Sequence, residues 1–261
     1  MIRCPKVFVW SSAAVLLFLY VPIVVLMVLS FNDSSMGAMW KGFSLRWYDK
    51  LFHNPAFLEA MINSVIIAIV STSLSLFLGV GAAIALEGSR GRLLPWINMG
   101  LVLPLVIPEI LLGVALLMMF VLIQMPLGFM TIIVGHGVFS LPLTIVIIRA
   151  RLKKLDPTWE DAARDLGATS WEVLLHITLP LLKPAMVGAG LLAFTVSLDD
   201  FVVTFFVAGP GSTTLPLKVF SMIKTGITPE INALSALLVL VSILGVGCSW
   251  LYQQRSGRLE G

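Results

Sequence analysis

Long apolar runs dominate this chain and restrict what it can fold into. Several of them reach about 20 residues, the length that an α-helix needs to cross the hydrocarbon core of a bilayer. The sequence is 58% hydrophobic and only 12% charged, whereas soluble domains carry about 25% charged residues. The pattern therefore predicts an all-α membrane protein that crosses the bilayer several times.

We expect a single transmembrane domain over residues 1–261, with six transmembrane helices. The apolar run that begins at Val7 is longer than a signal-peptide core, and no small-x-small cleavage site follows it, so it is expected to remain as the first span. Pro104 and Pro108 interrupt the third span, either as a broken helix or as a simple kink. The six expected spans are about 7–30, 58–86, 94–123, 129–150, 184–208 and 231–253.

The lysine and arginine residues predict the orientation. With the N-terminus inside, the basic residues are more numerous on the inner side, as the positive-inside rule requires. Both termini and the loop 151–183 are then cytoplasmic. The inner set is Arg3, Lys6, Arg90, Arg92, Arg149, Arg151, Lys153, Lys154, Arg164, Lys183, Arg255 and Arg258, and the outer set is Lys41, Arg46, Lys50, Lys218 and Lys224.

Three carboxylates lie inside expected spans. Asp199 and Asp200 interrupt the fifth span and Glu109 follows Pro108 in the third. A carboxylate at membrane depth costs roughly 2.5–3.5 kcal/mol, so it normally faces a polar cavity or a partner. Counted from the inner ends of their spans, Glu109 and Asp199 both lie about 22 Å deep. We expect an acidic constriction that attracts a cation, or else a structural aspartate pair satisfied within the bundle.

Helical geometry separates the two aspartates. Ser197 and Asp200 share a face, whereas Asp199 points about 100° away from Asp200. One aspartate is therefore expected to meet the substrate while the other pairs with a backbone group or a neighbouring helix. His136, a lone histidine on the fourth span, is expected to pack rather than to relay protons.

The outer segment 31–57 is rich in aromatic residues, among them Trp47. Aromatic side chains often form a belt at the membrane interface. Alternatively, the Trp47 ring lines the outer mouth and faces a cationic substrate. In the segment 209–230, the spacing of Leu217, Phe220 and Ile223 predicts a helix lying at the interface.

A polar stretch inside the loop 151–183 carries the most specific motif. Gly167 follows Asp161-Ala162-Ala163 at a spacing that suits a helix ended by glycine. Nine intervening residues then lead to Ile177-Thr178-Leu179-Pro180. We expect two short helices joined by a glycine turn, with Thr169 or Ser170 capping the second. The stretch resembles the EAA loop of ABC-importer permeases, in which glutamate usually stands at the position of Asp161.

Further segments resemble the permease subunits of spermidine/putrescine ABC importers, a family with the type I (MetI-like) fold. They include Arg46-Trp47-Tyr48, Pro108-Glu109, Phe194 through Val202, and Pro229-Glu230-Ile231-Asn232-Ala233-Leu234. The resemblance implies a polyamine transporter of the bacterial inner membrane that works by alternating access. Its implied partners are a second, homologous permease, two copies of a cytoplasmic ABC ATPase and a soluble binding protein.

The resemblance also implies that the chain is not itself an enzyme. It contains no phosphate loop of the form G-x4-G-K-[ST], so ATP and magnesium are expected on the separate ATPase, and no cofactor or metal on this chain. The docking residues are expected to be Asp161, Ala162, Ala163 and Gly167, and the substrate-pathway residues Asp199, Asp200, Ser197, Glu109 and Trp47.

Three other functions remain open at this stage. The same machine could import another amine, an amino acid derivative or ferric iron. An ion-coupled secondary transporter would use the carboxylates for protons or sodium, but the inverted repeats expected of such proteins are not evident. A membrane-embedded enzyme would need a nucleophile–base pair or a metal-ligand group, and neither pattern occurs in the sequence.

Overall fold

The computed structural model describes residues 6–34, 39–89, 91–225, 229–237, 239–240 and 243. Within these residues the chain is mainly helical and forms no β-strand, only an isolated bridge between Asn32 and Phe43. The helices are α1 (Lys6–Leu29), α2 (Arg46–Phe52), α3 (Pro55–Gly88), α4 (Leu94–Val106), α5 (Glu109–Leu122), α6 (Phe129–Leu152), α7 (Thr158–Asp165), α8 (Ser170–Val173), α9 (Leu179–Asp199), α10 (Val202–Val207) and α11 (Leu215–Thr225). A π-helical turn, Leu174–Thr178, joins α8 to α9 without a gap.

Among the described residues, four helical segments are long and apolar enough to cross a bilayer. A fifth span is obtained if the bent pair α4 and α5 counts as one. The expected sixth span, 231–253, lies largely outside the described residues, although residues 229–237 are helical. The four continuous segments are Trp10–Leu29, Pro55–Gly88, Phe129–Leu152 and Ser170–Asp199.

The expected third span, 94–123, is not one continuous helix. Helices α4 and α5 meet at an angle of 108°. Ile107 and Pro108 are both extended there, with ψ values of 133° and 131°. Pro108 explains the break because proline disfavours a helical conformation in the residue before it. Pro104, by contrast, is accommodated inside α4. Of the two alternatives, the structure has the broken helix.

The helix that contains most of the expected fifth span, 184–208, differs from that span at both ends. The helical segment already begins at Ser170, and Pro184 lies inside α9 rather than at its start. At the other end, α9 stops at Asp199, and the short α10 begins at Val202. Hydropathy alone could not locate this break, because the residues that follow it are again apolar.

The chain divides into two compact units, Ala60–Leu217 and the two terminal segments Met1–Glu59 with Lys218–Gly261. In the unit Ala60–Leu217, α6 packs against α9, and α5 packs against α10. Their contacts form two apolar clusters. One is built around Ile132, Leu116, Phe120, Val203 and Val207, and the other around Ile145, Ile148, Leu182 and Ala189.

The terminal unit is organised by its aromatic residues. The rings of Phe31 and Phe43 stack with their centroids 5.4 Å apart, and Phe31 also contacts Tyr48. The buried Trp47 donates a 2.8 Å hydrogen bond from Nε1 to the carbonyl oxygen of Asn32. These contacts fold residues 39–52 back onto the end of α1.

Candidate functional sites

The first candidate site lies at the break between α9 and α10. Asp200 is extended, with a ψ of 119°, and it separates the two helices. Its carboxylate accepts backbone hydrogen bonds from Val203 N at 3.3 Å and from Thr204 N at 2.8 Å. Thr204 Oγ1 adds a third bond at 2.9 Å. Asp200 thus caps α10 and satisfies N–H groups that the break would otherwise leave without partners in a nonpolar environment.

His136 joins this cap to the neighbouring helices. Its ring is fully buried on α6, and Nε2 lies 3.1 Å from Asp200 Oδ2 and 3.0 Å from Thr204 Oγ1. The other ring nitrogen, Nδ1, lies 2.6 Å from Ser197 Oγ, which is in turn 3.0 Å from Ser71 Oγ on α3. His136 is packed inside the bundle, as expected, and it also makes these hydrogen bonds, which the sequence did not predict. It is the centre of a buried hydrogen-bonded network, which we call the His136 network.

Asp199 has quite different surroundings from Asp200. Its side chain is exposed at the end of α9, and no hydrogen bond or ion pair to it is found among the described residues. As predicted for one of the two aspartates, Asp200 pairs with a neighbouring helix, and its side chain is 5% exposed. Contact of the exposed Asp199 with substrate stays a prediction. Ser197 is joined to Asp200 through His136 rather than directly.

Glu109 lies directly after the other break, between α4 and α5. It is the first residue of α5, it is exposed, and it also lacks a hydrogen-bond or ion-pair partner among the described residues. Helices α5 and α10 are in close contact: a methyl group added to Gly113 would lie only 2.6 Å from Phe206 Cδ2. Gly113 comes four residues after Glu109, and Phe206 comes four residues after Val202. This contact is consistent with the two breaks lying at a similar level.

Trp47 lies in the terminal unit, and the chain's own cations cover its ring. The guanidinium of Arg46 lies 4.4 Å from the ring centroid, and the ammonium of Lys50 lies 5.6 Å from it. The Trp47 ring is buried, and Arg46 already lies over it. A role of Trp47 in binding a cationic substrate therefore stays a prediction. Lys50 also pairs with the buried Glu230.

Sequence reasoning missed two members of the first site, His136 as a hydrogen-bonding group and Thr204. A signal for Thr204 existed, because an aspartate just before a short apolar helix commonly caps it. The partners of His136 come from helices more than 60 residues away in sequence. No local pattern could have identified them.

The second candidate site is the polar stretch with the alanine pair, residues 158–173, which we call the docking stretch. Helix α7 ends at Asp165, and Gly167 follows in a left-handed conformation with φ of +88°. Ala168 N donates to Ala163 O at 3.0 Å, and Gly167 N donates to Arg164 O at 2.9 Å. This pair of bonds is the Schellman motif, which requires a residue that tolerates a positive φ. The predicted first short helix and its glycine turn are present. The second helix is not short, because α8 continues through the π-helical turn into α9 as one segment, Ser170–Asp199.

Thr169 caps the second helix, as predicted. Its Oγ1 accepts a hydrogen bond from Glu172 N, while its own N–H donates to Glu172 Oε2 at 2.7 Å. These two bonds form a capping box. The hydrogen bonds that Glu172 receives from the backbone and side chain of Thr169 lower the pKa of its carboxyl group. The turn between the helices is thus fixed from both sides.

The docking stretch exposes a surface of small and apolar side chains. Ala162 is exposed, and around it Trp159, Leu166 and Trp171 are 63%, 90% and 66% exposed. A cavity of about 470 Å³ separates α7 from the C-terminal ends of α3 and α6. Thr178 donates to Glu160 Oε1 at 2.8 Å and so connects α7 to the π-helical turn that leads into α9.

Comparison with known proteins places this architecture among transport proteins. Residues 75–258 match the family described as binding-protein-dependent transport system inner membrane component. The chain is 39% identical over 238 residues to the spermidine/putrescine transport system permease protein PotC of Escherichia coli (strain K12), covering 91% of this chain and 90% of that protein. It is 40% identical over 252 residues to the putrescine transport system permease protein PotI of the same organism, covering 90% and 88% of the two chains.

Solved structures show the same fold at much lower identity. A chain of a bacterial ABC transporter involved in the import of the acidic polysaccharide alginate superimposes with a TM-score of 0.71 at 18% identity. The superposition covers 98% of each of the two chains. At this identity the likeness concerns the fold alone.

Proposed function

This chain belongs to the family of binding-protein-dependent transport system inner membrane components, and we propose that it is the permease subunit of an ATP-driven polyamine importer. It is a multi-pass inner-membrane transport subunit. The proposed cargo, putrescine or spermidine, is supported by identities of about 40% to two permeases named for these compounds. It is also supported by exposed carboxylates at two helix breaks, Asp199 and Glu109.

The proposed assembly contains a second, homologous permease and two copies of a cytoplasmic ABC ATPase. A soluble binding protein delivers the polyamine from the outer side. ATP and magnesium bind to the ATPase, and this chain needs no cofactor of its own. With the N-terminus inside, as the basic residues predict, the docking stretch faces the ATPase.

Docking would use the surface formed by Asp161, Ala162, Ala163 and Gly167. The two alanines leave room for another protein to approach the α7 backbone, and Gly167 sets the angle between α7 and α8. Closure of the ATPase pair around ATP would draw the docking stretches together, shut the inner gate and open the outer gate. Hydrolysis would reverse the motion. The Thr178–Glu160 hydrogen bond gives this motion a path into α9.

Within the membrane, the substrate pathway is proposed to use Asp199 and Glu109 as direct contacts. Each carboxylate lies exposed beside a helix break and lacks a protein partner among the described residues, so each can bind an ammonium group without first losing another bond. Asp200 and Ser197 would support the site from behind, because both are held by His136.

The observation that carries the proposal is the exposed Asp199 carboxylate beside a fully bonded Asp200. The test is uptake of radiolabelled putrescine and spermidine by the reconstituted complex. Asp199→Asn and Glu109→Gln should each reduce uptake roughly tenfold or more, since bonds to a charged group contribute about 1.5–3 kcal/mol. Glu59→Gln, which changes an exposed carboxylate near the start of α3, is the matched control and should transport normally.

The outcomes of this experiment test the cargo assignment and the acidic pathway separately. If the unaltered complex takes up neither polyamine, the proposed cargo is wrong. If it takes up polyamines but both variants retain full uptake, the acidic pathway is wrong and the cargo assignment stands.

A further inference from the structure

We propose that His136 is a positioning residue for transport: it holds Asp200 as the cap of α10 and thereby fixes Asp199 in the substrate pathway. This inference rests on the proposed function, because Asp199 is the substrate contact assigned there. His136 itself touches no pathway surface, since its side chain is 1% exposed.

The first step of the argument is the backbone. Asp199 is the last residue of α9, and its neighbour Asp200 is the residue at which the chain leaves the helix. Rotation about the backbone bonds of Asp200 would redirect α10 relative to α9. Because the last residues of a helix fray when nothing holds them, release of Asp200 would also free the backbone of Asp199. The orientation of Asp199 therefore depends on how firmly Asp200 is held.

The second step is the bonding of Asp200. Thr204 and Val203 bind its carboxylate from α10, so these bonds tie Asp200 only to the helix that it caps. The bond from His136 Nε2, at 3.1 Å, comes from α6 and is the contact that ties the cap to a separate helix. Thr131 on α6 donates to the carbonyl oxygen of Val207 at 2.7 Å and holds α10 at its far end, so the His136 bond is the one that holds the Asp200 end of the break.

The third step is the anchoring of His136 itself. Nδ1 is bonded to Ser197, two residues before the end of α9, and Ser197 contacts Ser71 on α3. The imidazole therefore holds both sides of the break, Ser197 before it and Asp200 after it. A ring bonded at both nitrogens to buried partners cannot turn without breaking a bond that no water replaces. Residues 197–200 are thereby fixed as one unit.

The test is a double-mutant cycle that combines His136→Gln with Asp200→Asn. Glutamine and asparagine keep polar groups in the buried site, so both variants should assemble, and asparagine can still cap a helix. Each single variant should reduce polyamine uptake by roughly tenfold, the loss expected for one hydrogen bond to a charged group. Since both changes remove the same contact, the double variant should lose no more uptake than the single variant with the larger loss.

A second cycle is the matched control. His136→Gln combined with Glu109→Gln should show losses that multiply, because no contact joins these two residues. Ser140→Ala removes a buried hydroxyl one turn from His136 on α6 that has no hydrogen-bond partner among the described residues, and uptake should be unchanged. Multiplying losses in the His136–Asp200 cycle, or normal uptake by His136→Gln, would overturn the proposal.

A readout independent of the cargo separates this proposal from the proposed function. In a complex whose Cys4 and Cys248 are replaced by serine, Asp199→Cys can be titrated with a small cationic thiol reagent. We expect His136→Gln to change the rate of modification of this cysteine by roughly tenfold, and Ser140→Ala to leave it unchanged. If the modification rate is unchanged in His136→Gln as well as in Ser140→Ala, the positioning role is overturned even if polyamines are transported. A changed rate would support it even if the cargo proves to be different.

Discussion

At the scale of single residues, Asp199 and Asp200 show how neighbouring identical side chains acquire different roles. Both are carboxylates in an apolar segment, and the sequence suggests one site for the pair. The structure separates them because the helix ends between them. Asp200 accepts bonds from two backbone N–H groups, a hydroxyl and an imidazole, whereas Asp199 is left exposed. Only the exposed one keeps its charge available for a ligand.

Two glycines on α6 provide a sharp test of the packing around this site. A methyl group at Gly135 would lie 2.9 Å from Val203 Cγ1 on α10, whereas one at Gly137 would meet nothing within 4 Å. Valine adjusts poorly because its χ1 angle is restricted. Gly135→Ala should therefore destabilise the protein by about 1–3 kcal/mol, and Gly137→Ala should be neutral or stabilising by up to about 1 kcal/mol.

Thermal unfolding of the purified complex in detergent measures the difference between these glycine variants. A lower midpoint for Gly135→Ala alone is the expected result. Equal midpoints for the two variants would mean that α6 and α10 do not approach each other as closely as the structure has them.

At the scale of helices, the sequence predicts the long helices better than the two breaks, between α4 and α5 and between α9 and α10. Periodicity and length identify α1, α3 and α6 closely, because apolar residues continue until polar residues end them. The break at Pro108 is signalled by the proline itself. The break at Asp200 has no proline. An aspartate before a short apolar helix can indicate a cap, but the hydrogen bond from His136 comes from another helix and has no local signal.

The turn in the docking stretch should be the most sensitive point of that element. Gly167 has φ of +88° and open space around its Cα atom, so a side chain there would be strained by its backbone conformation and not by crowding. A left-handed conformation costs a branched residue about 1–2 kcal/mol. We expect Gly167→Val to change the angle between α7 and α8 and to abolish the coupling of ATP hydrolysis to uptake.

Gly91 offers the control for this change. It also has nothing within 4 Å, but it does not have a positive φ. Gly91→Val should therefore keep coupled transport, and both variants should still co-purify with the second permease. Normal coupling in Gly167→Val would show that the docking stretch does not transmit the motion.

At the scale of the whole molecule, the sequence predicted the membrane class and the family but not the complete set of spans. Four continuous spans and one bent pair lie within the described residues, and most of the expected sixth lies outside them. The family follows from the docking stretch and from segments scattered along the chain, and the match over residues 75–258 confirms it. The hydropathy pattern could not predict which helices contact each other, because an apolar helix is hydrophobic on every face.

Association with a separate nucleotide hydrolase is the prediction at this scale. The tagged chain, purified in mild detergent from cells that express its partners, should carry ATPase activity with it. Gly167→Val should leave the permease pair together but weaken or uncouple this activity. A complex that transports polyamines without any bound ATPase would contradict the proposed function.

The bend between α4 and α5 also has a consequence for biogenesis. With 13 and 14 residues, these helices are each about 20 Å long, short of the roughly 30 Å hydrocarbon layer. Neither half can settle in lipid by itself as the nascent chain leaves the ribosome. Helix α4 packs against α6, the first helix to be synthesised after this pair, whereas the main partner of α5 is α10, which follows some 80 residues later. The packing of α5 is therefore completed only when the second half of the polypeptide has been made.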